Sequence, residues 1–206
     1  MSIYKNGLKR ALDCIIAALA LLVAAIPMAL IAIAVRIDSP GPVVFRQKRI
    51  GKDGKVFDML KFRSMCLNAE HTGSGVYSEK GDKRVTRVGR FLRAASLDEL
   101  PQLINVLKGD MALIGPRPLL PQYLPLYSPE QMLRHEVRPG ISGWAQCHGR
   151  NAISWTEKFK LDVWYVDHCT LCTDIKVIFI TIKNVLMRKD INSATSATME
   201  FFDGTN

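Results

Sequence analysis

The stretch CIIAALALLVAAIPMALIAIAV, residues 14–35, determines how this chain is organised. It contains 22 residues and no charged side chain. A helix of that length rises about 33 Å, which is enough to reach across a bilayer core of roughly 30 Å. A secretory signal has a shorter apolar run of about 7 to 15 residues, followed by a cleavage site. The stretch therefore predicts a membrane-associated helix within residues 1–38, attached to a globular remainder.

The charges that flank this stretch bear on its path through the membrane. Basic residues stand on both sides of it: Lys5, Lys9 and Arg10 before, and Arg36, Arg46, Lys48 and Arg49 after. Because basic residues favour the cytoplasmic side, both flanks favour the same side. Pro27, near the middle, removes a backbone donor and can bend the helix. We therefore predict a re-entrant helix–break–helix hairpin with its break at Pro27, while an ordinary kinked span stays the alternative.

The positive charge of the chain is concentrated after the apolar stretch. The formal net charge is +9, and residues 36–93 contain fourteen lysines and arginines against six acidic residues. A basic surface beside an apolar segment suits anionic lipid headgroups and phosphorylated substrates. It is also compatible with a solvated basic face that has no further role.

The cysteines are consistent with reduced thiols in a cytoplasmic body. There are five of them, an odd number, scattered along the chain, which argues against a disulfide framework. Cys169 and Cys172 beside His168 resemble part of a zinc site, but a structural zinc needs four ligands and the sequence offers no second pair.

The globular remainder, residues 39–190, combines short strands with helices. Alternating apolar residues at 43–47 and 56–62 predict a β-hairpin. Apolar residues at helical spacing predict helices around 97–107, 156–166 and 174–187. We therefore expect an α+β fold, in which a cytoplasmic domain has a short antiparallel β element and amphipathic helices at the membrane surface. A polar C-terminal tail is expected at 191–206.

The adjacent acids Asp98 and Glu99 allow two interpretations. The segment Ser96–Glu99 matches the S-x-x-E capping box, in which these residues simply begin a helix. In that register Pro101 would lie inside the helix, where proline costs up to about 3 kcal/mol. If the helix instead begins at Pro101, the two acids lie just before a helix N-terminus, where backbone donors and the dipole attract phosphate. The local pattern alone favours the capping box.

Several spaced motifs together resemble one known family. They are Ser39-Pro40-Gly41-Pro42, Lys61-Phe62-Arg63-Ser64-Met65, Ser96-Leu97-Asp98-Glu99-Leu100-Pro101-Gln102, Gly109-Asp110-Met111, Gly115-Pro116-Arg117-Pro118 and Arg138-Pro139-Gly140-Ile141. On these motifs the chain, essentially from Leu8 onward, resembles the bacterial sugar transferases, or monotopic phosphoglycosyl transferases. It is most similar to their small members, typified by the transferase that starts bacterial N-linked glycan assembly.

The resemblance implies an enzyme that moves a phospho-sugar from a UDP-sugar to polyprenol (undecaprenyl) phosphate, the first membrane step of glycoconjugate biosynthesis. Asp98 would attack the β-phosphate, release UMP and form a covalent aspartyl phospho-sugar, and Glu99 would be the accompanying acid or base. Mg²⁺ is the implied cofactor, with Asp98 also holding the metal. The implied location is the bacterial inner membrane, with the catalytic domain on its cytoplasmic face and in contact with membrane lipids.

Cationic side chains are expected to bind the phosphates of such substrates. Arg117 is the first candidate, because Pro116 and Pro118 fix the backbone on either side of it and guanidinium binds phosphate in a bidentate manner. The further candidates are Lys61, Arg63, Arg93 and Arg150, for each of which an exposed structural role is the alternative.

Two other classes of function are left open by the residues themselves. A membrane-tethered nucleic-acid binder would fit the basic stretch Lys83–Arg87, but no helix-turn-helix, zinc-finger or RNP pattern is present, and we expect no nucleic-acid partner. A non-enzymatic membrane scaffold would use Asp98 and Glu99 only to begin a helix. The P-loop pattern G-x-x-x-x-G-K-[ST] is absent, which argues against a nucleoside triphosphatase.

Overall fold

The computed structural model describes residues 4–72, 75, 81–149, 153–186 and 201–205. Its helices are α1 (Lys9–Asp38), α2 (Arg87–Ala94), α3 (Gln102–Lys108), α4 (Pro129–Met132), α5 (Trp144–Cys147), α6 (Trp155–Asp167) and α7 (Leu171–Leu186). Its strands are β1 (Val44–Ile50), β2 (Val56–Phe62), β3 (Ala112–Ile114) and β4 (Gly140–Ser142). One long helix therefore precedes a body of much shorter elements, β1 to α7, which we call the globular body.

Helix α1 is the apolar helix that the sequence predicts, and it packs along the globular body. It is 30 residues long, which together with its composition is enough to cross a membrane. In its first half Ala17 is buried against α3. In its second half Val35 is buried against Phe62 of β2 and Leu92 of α2. The opposite face is open, with Val23 80% exposed. Both halves of α1 thus contact the same body.

Pro27 lies inside α1, and the helix continues through it. The predicted break therefore does not appear as an interruption of the secondary structure. Neighbouring carbonyls and side chains allow membrane helices to accommodate proline in this way. The re-entrant path stays a prediction, and the contact of both halves of α1 with one body is compatible with it.

Buried charged groups fix the start of α1 to the globular body. Lys9 forms an ion pair with Asp174 of α7 and, at 3.5 Å, with Asp13 one turn further along α1. Tyr165 of α6 donates to the second oxygen of the Asp174 carboxylate at 2.6 Å. Buried charges of this kind are tolerated when they are paired and hydrogen-bonded. The network therefore ties α1 to α6 and α7.

Two small sheets complete the body. Strands β1 and β2 form the predicted antiparallel hairpin, in register from Val44 opposite Phe62 to Ile50 opposite Val56. Strands β3 and β4 pair in parallel, which the sequence analysis did not predict. Helices and short sheets together are compatible with the predicted α+β class.

A cluster rich in aromatic side chains forms part of the core of the globular body. Its buried members are Leu119, Leu120, Tyr123, Trp155, Phe159 and Phe202. Phe202 is only 1% exposed, although it belongs to the segment predicted as a polar tail. The described end of that segment, residues 201–205, therefore contributes to the core.

Helix α7 presents an apolar face to its surroundings. The exposed side chains recur at helical spacing and are Leu171, Ile175, Ile178, Phe179 and Ile182. The opposite face carries buried Asp174 and Val177. A helix of this kind suits the interfacial region of a bilayer. Its placement at the membrane surface stays a prediction.

Candidate active site

The two adjacent acids lie in a tight turn between α2 and α3. Asp98 and Glu99 belong to a 3-10 turn, Leu97–Glu99, and α3 begins at Gln102, directly after Pro101. Ser96 has a left-handed backbone, with φ of 55°, and its side chain forms no capping hydrogen bond. The capping-box interpretation is therefore wrong, because the Ser96 side chain makes no capping hydrogen bond and Pro101 precedes α3 instead of lying inside it. The alternative, a helix that begins at about Pro101, describes the structure.

Glu99 is held between two cations. Its Oε1 atom accepts from Lys61 Nζ at 2.8 Å and from Arg117 Nη2 at 3.1 Å. Burial by itself would raise the pKa of Glu99, but Lys61 and Arg117 outweigh burial and hold the pKa well below its usual range. Glu99 is therefore ionised at neutral pH and joins β2 to the Gly115–Pro118 segment across the turn.

Asp98 differs from its neighbour in its electrostatics. It is 9% exposed, and burial raises its pKa above the usual range, with the charge of Glu99 adding to the rise. Lys61, Arg93 and Arg117 oppose this rise without cancelling it. A bound cation or a substrate that brings one favours the charged form of such a carboxyl. The two adjacent acids thus have pKa values shifted in opposite directions.

Asp98 and Glu99 open into a cavity of about 1240 Å³. Its cationic lining includes Arg46, Arg49, Lys61, Arg63, Arg93, Arg117 and Lys158. Apolar residues of β1 and β2, such as Val44 and Phe62, form another part of its wall. The cavity therefore combines a buried carboxylate with several cations, which is the chemistry that handling a phosphorylated substrate requires.

The profile of the family described as bacterial sugar transferase matches residues 4–188. The chain belongs to the bacterial sugar transferase family. The resemblance that the sequence motifs indicate is thereby confirmed.

Three proteins similar to this chain are named as transferases of sugars or sugar phosphates. An uncharacterized sugar transferase of Bacillus subtilis (strain 168), EpsL, is 50% identical over 171 residues, which are 83% of this chain and 83% of the relative. The UDP-glucose:undecaprenyl-phosphate glucose-1-phosphate transferase of Escherichia coli (strain K12) is 46% identical over 184 residues, 85% of this chain and 39% of the relative. The UDP-N-acetylgalactosamine-undecaprenyl-phosphate N-acetylgalactosaminephosphotransferase of Aeromonas hydrophila is 43% identical over 185 residues, 87% of this chain and 44% of the relative. The chain spans less than half the length of the last two.

The structure places most of the predicted site residues of the sugar transferase together. Asp98, Glu99, Lys61, Arg63, Arg93 and Arg117 all line the cavity. Arg150 lies outside the described residues, so its predicted role is neither supported nor contradicted. The clustering brings together residues from β2, α2, the 3-10 turn and the segment after β3, which are far apart in sequence.

Arg63 and Arg93 have structural contacts as well as positions in the cavity wall. Arg63 donates to the carbonyl oxygens of Ser39 and, at 2.7 Å, of Pro40. Gly41, with φ of +114°, passes so close that a Cβ there would clash with the Arg63 guanidinium. Arg93 Nε donates to Ser64 Oγ at 2.8 Å. Arg63 therefore fixes the turn that leads from α1 into the cavity wall.

Lys158 is a cavity residue that sequence reasoning missed. It lies on α6, is 6% exposed, and its Nζ is 4.8 Å from the centre of the Trp155 ring. Burial lowers its pKa to about 8, and the charges of Arg117 and Arg134 contribute to the decrease. A lysine on an amphipathic helix normally lies on the solvated face, so the sequence carries no signal that would have identified it.

The carboxylates of this sugar transferase are compatible with Mg²⁺. Among the described residues no group of three or more His, Cys, Asp and Glu side chains is arranged to hold a metal. Mg²⁺ does not require such a group, because one or two carboxylates, water and substrate phosphates usually complete its ligands. Glu99 already accepts from Lys61 and Arg117. Because two cations already offset the charge of Glu99, Asp98 is the acid whose charge a bound Mg²⁺ would offset.

Proposed function

We propose that this chain is a phosphoglycosyl transferase that moves a phospho-sugar from a UDP-sugar to polyprenol (undecaprenyl) phosphate. The observation that carries the proposal is a buried carboxylate, Asp98, in a cavity lined by cations and placed beside a long apolar helix. The named relatives from Escherichia coli and Aeromonas hydrophila support it, since their names specify undecaprenyl phosphate as acceptor and a UDP-sugar as donor.

In the proposed first step, an oxygen of the Asp98 carboxylate attacks the β-phosphorus of the UDP-sugar. The bond from this phosphorus to the oxygen that bridges it to the α-phosphate breaks, and the electron pair leaves with UMP. Arg117 and Lys61 stabilise the negative charge on the reacting phosphate, and their shared partner Glu99 holds both in place. Bound Mg²⁺ would neutralise diphosphate charge and favour the ionised form of Asp98.

In the proposed second step, a phosphate oxygen of polyprenol phosphate attacks the phosphorus of the aspartyl phospho-sugar. The bond from Asp98 to phosphorus breaks and returns the free carboxylate, and polyprenyl diphosphate sugar is the product. The acceptor is a phosphate anion, so this attack requires little general-base assistance. We assign Glu99 to positioning Lys61 and Arg117, because its lowered pKa makes it a poor proton acceptor.

We place α1 in the bilayer and the globular body at the cytoplasmic face of the bacterial inner membrane. The basic residues on both flanks of α1 support this arrangement, as do its contacts with the body through both halves. A re-entrant α1 and an interfacial α7 would bring the cavity to the level where the phosphate of a membrane-embedded polyprenol lies. Membrane lipids are then direct partners of both helices.

The experiment that tests the proposal is UMP release from a panel of UDP-sugars with undecaprenyl phosphate and Mg²⁺. The wild type should release UMP, and Asp98→Asn should not, because a neutral amide is a poor nucleophile. Mass spectrometry of wild type with donor alone should show the added phospho-sugar. Equal release by wild type and Asp98→Asn would overturn the assigned nucleophile. Absence of release with every donor would instead favour a non-enzymatic scaffold.

A further inference from the structure

Arg134 occupies a fully buried position behind the cavity. It lies in the 3-10 turn Leu133–Glu136 that follows α4, and its side chain is 1% exposed. Its Nη2 and Nε atoms donate to Asp162 Oδ2 of α6 at 2.7 and 3.1 Å. The guanidinium also lies over the Phe159 ring, 5.5 Å from its centre. Both Arg134 and its partner are therefore held rigidly inside the core.

The same Arg134 nitrogen contacts the backbone of the cavity residue Arg117. Nη2 donates to the carbonyl oxygen of Arg117 at 2.8 Å. This carbonyl belongs to the peptide that joins Arg117 to Pro118, and the rings of Pro116 and Pro118 restrict the backbone on both sides. The hydrogen bond from Arg134 therefore fixes a peptide plane that proline has already restricted, and with it the direction in which the Arg117 side chain leaves the backbone.

The side chain of Arg117 is half-buried and lines the cavity. Nη2 contacts Glu99, and the residue lines the cavity with 39% of its side chain exposed. A guanidinium that binds a phosphate through two parallel hydrogen bonds needs a defined orientation, and a displacement of about 1 Å can cost up to two orders of magnitude in rate.

A buried ion pair is a weak source of net stability, because apolar residues of similar volume often serve as well. The ion pair by itself therefore does not account for the contact that Arg134 makes with the backbone of a cavity residue. We propose that Arg134 is a positioning residue for Arg117, and that the Arg134–Asp162 pair fixes the orientation in which Arg117 binds the diphosphate of the donor. This inference rests on the proposed function, since it names the diphosphate as the ligand.

The test measures UDP binding to the full chain in detergent by calorimetry, in a double-mutant cycle. Arg134→Lys should weaken UDP binding by about tenfold in the wild-type background. In an Arg117→Met background, where the residue it positions is already gone, it should weaken binding by less than about twofold. Arg138→Lys is the matched control. Arg138 also donates to a backbone carbonyl, that of Gly109 at 2.8 Å, but neither Arg138 nor Gly109 lines the cavity. This control should bind UDP as the wild type does.

A paired variant separates positioning from folding. The combination Arg134→Met with Asp162→Leu replaces both charges with apolar groups of similar size, so its melting temperature should approach that of the wild type. UDP binding should stay weakened, because the hydrogen bond to the Arg117 carbonyl is not restored. Recovery of wild-type binding in this variant, or an equal loss from Arg134→Lys in both backgrounds, would overturn the proposal.

UMP release from UDP-sugar, measured on the same proteins, distinguishes the two proposals. Suppose that Arg134→Lys weakens UDP binding only when Arg117 is present, and that no donor gives UMP release. This result would support the positioning role and count against the transferase. If the wild type releases UMP but Arg134→Lys weakens UDP binding equally with and without Arg117, the transferase would be supported and the positioning role overturned. Absence of UDP binding by the wild type would overturn the positioning role directly.

Discussion

Replacing Glu99 with glutamine removes the charge that Lys61 and Arg117 share and leaves the shape of the side chain intact. Two ion pairs, at 2.8 and 3.1 Å, become hydrogen bonds from charged donors to a neutral amide oxygen. Removing one partner of a buried ion pair costs about 3–5 kcal/mol. The side chains of Lys61 and Glu99 are 18% and 19% exposed and that of Arg117 is 39% exposed, so solvent screening reduces the expected loss to about 2–3 kcal/mol. A chain of this size should then melt about 4–12 °C lower.

The pH dependence of this loss follows from the direction of the pKa shift. The folded-state pKa of Glu99 is held well below its usual range by Lys61 and Arg117, which outweigh burial. Its stabilising contribution is therefore complete above the unfolded-state pKa of about 4.3 and is lost as the pH falls from there toward the folded-state pKa. The difference in stability between wild type and Glu99→Gln should be constant near neutral pH and shrink below about pH 4.

Thermal unfolding in detergent, followed by tryptophan fluorescence, measures both effects. Asp58→Asn is the matched control, because it breaks the ion pair between Lys48 and Asp58 on the β1–β2 hairpin, which also carries Lys61. The side chains of Lys48 and Asp58 are 67% and 47% exposed. That variant should lose less than about 1 kcal/mol. The reasoning is refuted if Glu99→Gln is no less stable than this control, or if its deficit is the same at neutral pH and at about pH 3.

Three further predictions concern the cavity, the core and the membrane helix. Burial lowers the pKa of Lys158 to about 8, so its charge is lost as the pH rises above that value. The kcat/KM for UMP release by the wild type should therefore fall above about pH 8. Compared with the wild type at the same pH, Lys158→Met should be about tenfold less active below about pH 8 and little different above it. Phe202→Ala should cost about 3–5 kcal/mol in denaturant unfolding, while Phe201→Ala, at a position 45% exposed, should cost far less. In a variant without native cysteines, cysteines placed at Gly7 and Ile37 should both react with an impermeant thiol reagent only from the cytoplasmic side if α1 is re-entrant; labelling of one of them from the other side would show an ordinary span.

Patterns with a short period were sufficient to predict parts of this fold. The apolar run of α1 and the alternation in β1 and β2 specify their own geometry, because neighbouring residues determine it. The parallel pairing of β3 with β4 could not be predicted in the same way. Each of these strands is only three residues long, and their partners, Ala112 with Gly140 and Ile114 with Ser142, are distant in sequence. Tertiary packing alone selects such a pair.

Site residues that belong to sequence motifs could be predicted, whereas a site residue that only tertiary packing brings into the cavity could not. Asp98, Glu99 and Arg117 were found because a known combination of motifs contains them. The capping-box interpretation failed because Ser96 adopts a left-handed backbone, and a match to four residues does not encode that conformation. Lys158 was missed because its burial depends on Trp155 and on neighbours from other elements, whereas a helical pattern predicts a solvated lysine.

Leu100 follows Glu99 directly and packs against two hydrophobic clusters, one that contains Ala17 of α1 and one that contains Val35 of α1. The residue next to the two acids therefore packs against clusters to which both halves of α1, the helix that we place in the bilayer, contribute. If α1 were only a membrane tether, replacing it with another apolar helix would leave catalysis unchanged. Here α1 contributes residues to two hydrophobic clusters of the domain. Bilayer thickness, or a detergent that changes the curvature of α1, would act on the turn that holds Asp98. With α1 in the bilayer, as we propose, the lipid would therefore act as an effector on the turn that holds Asp98.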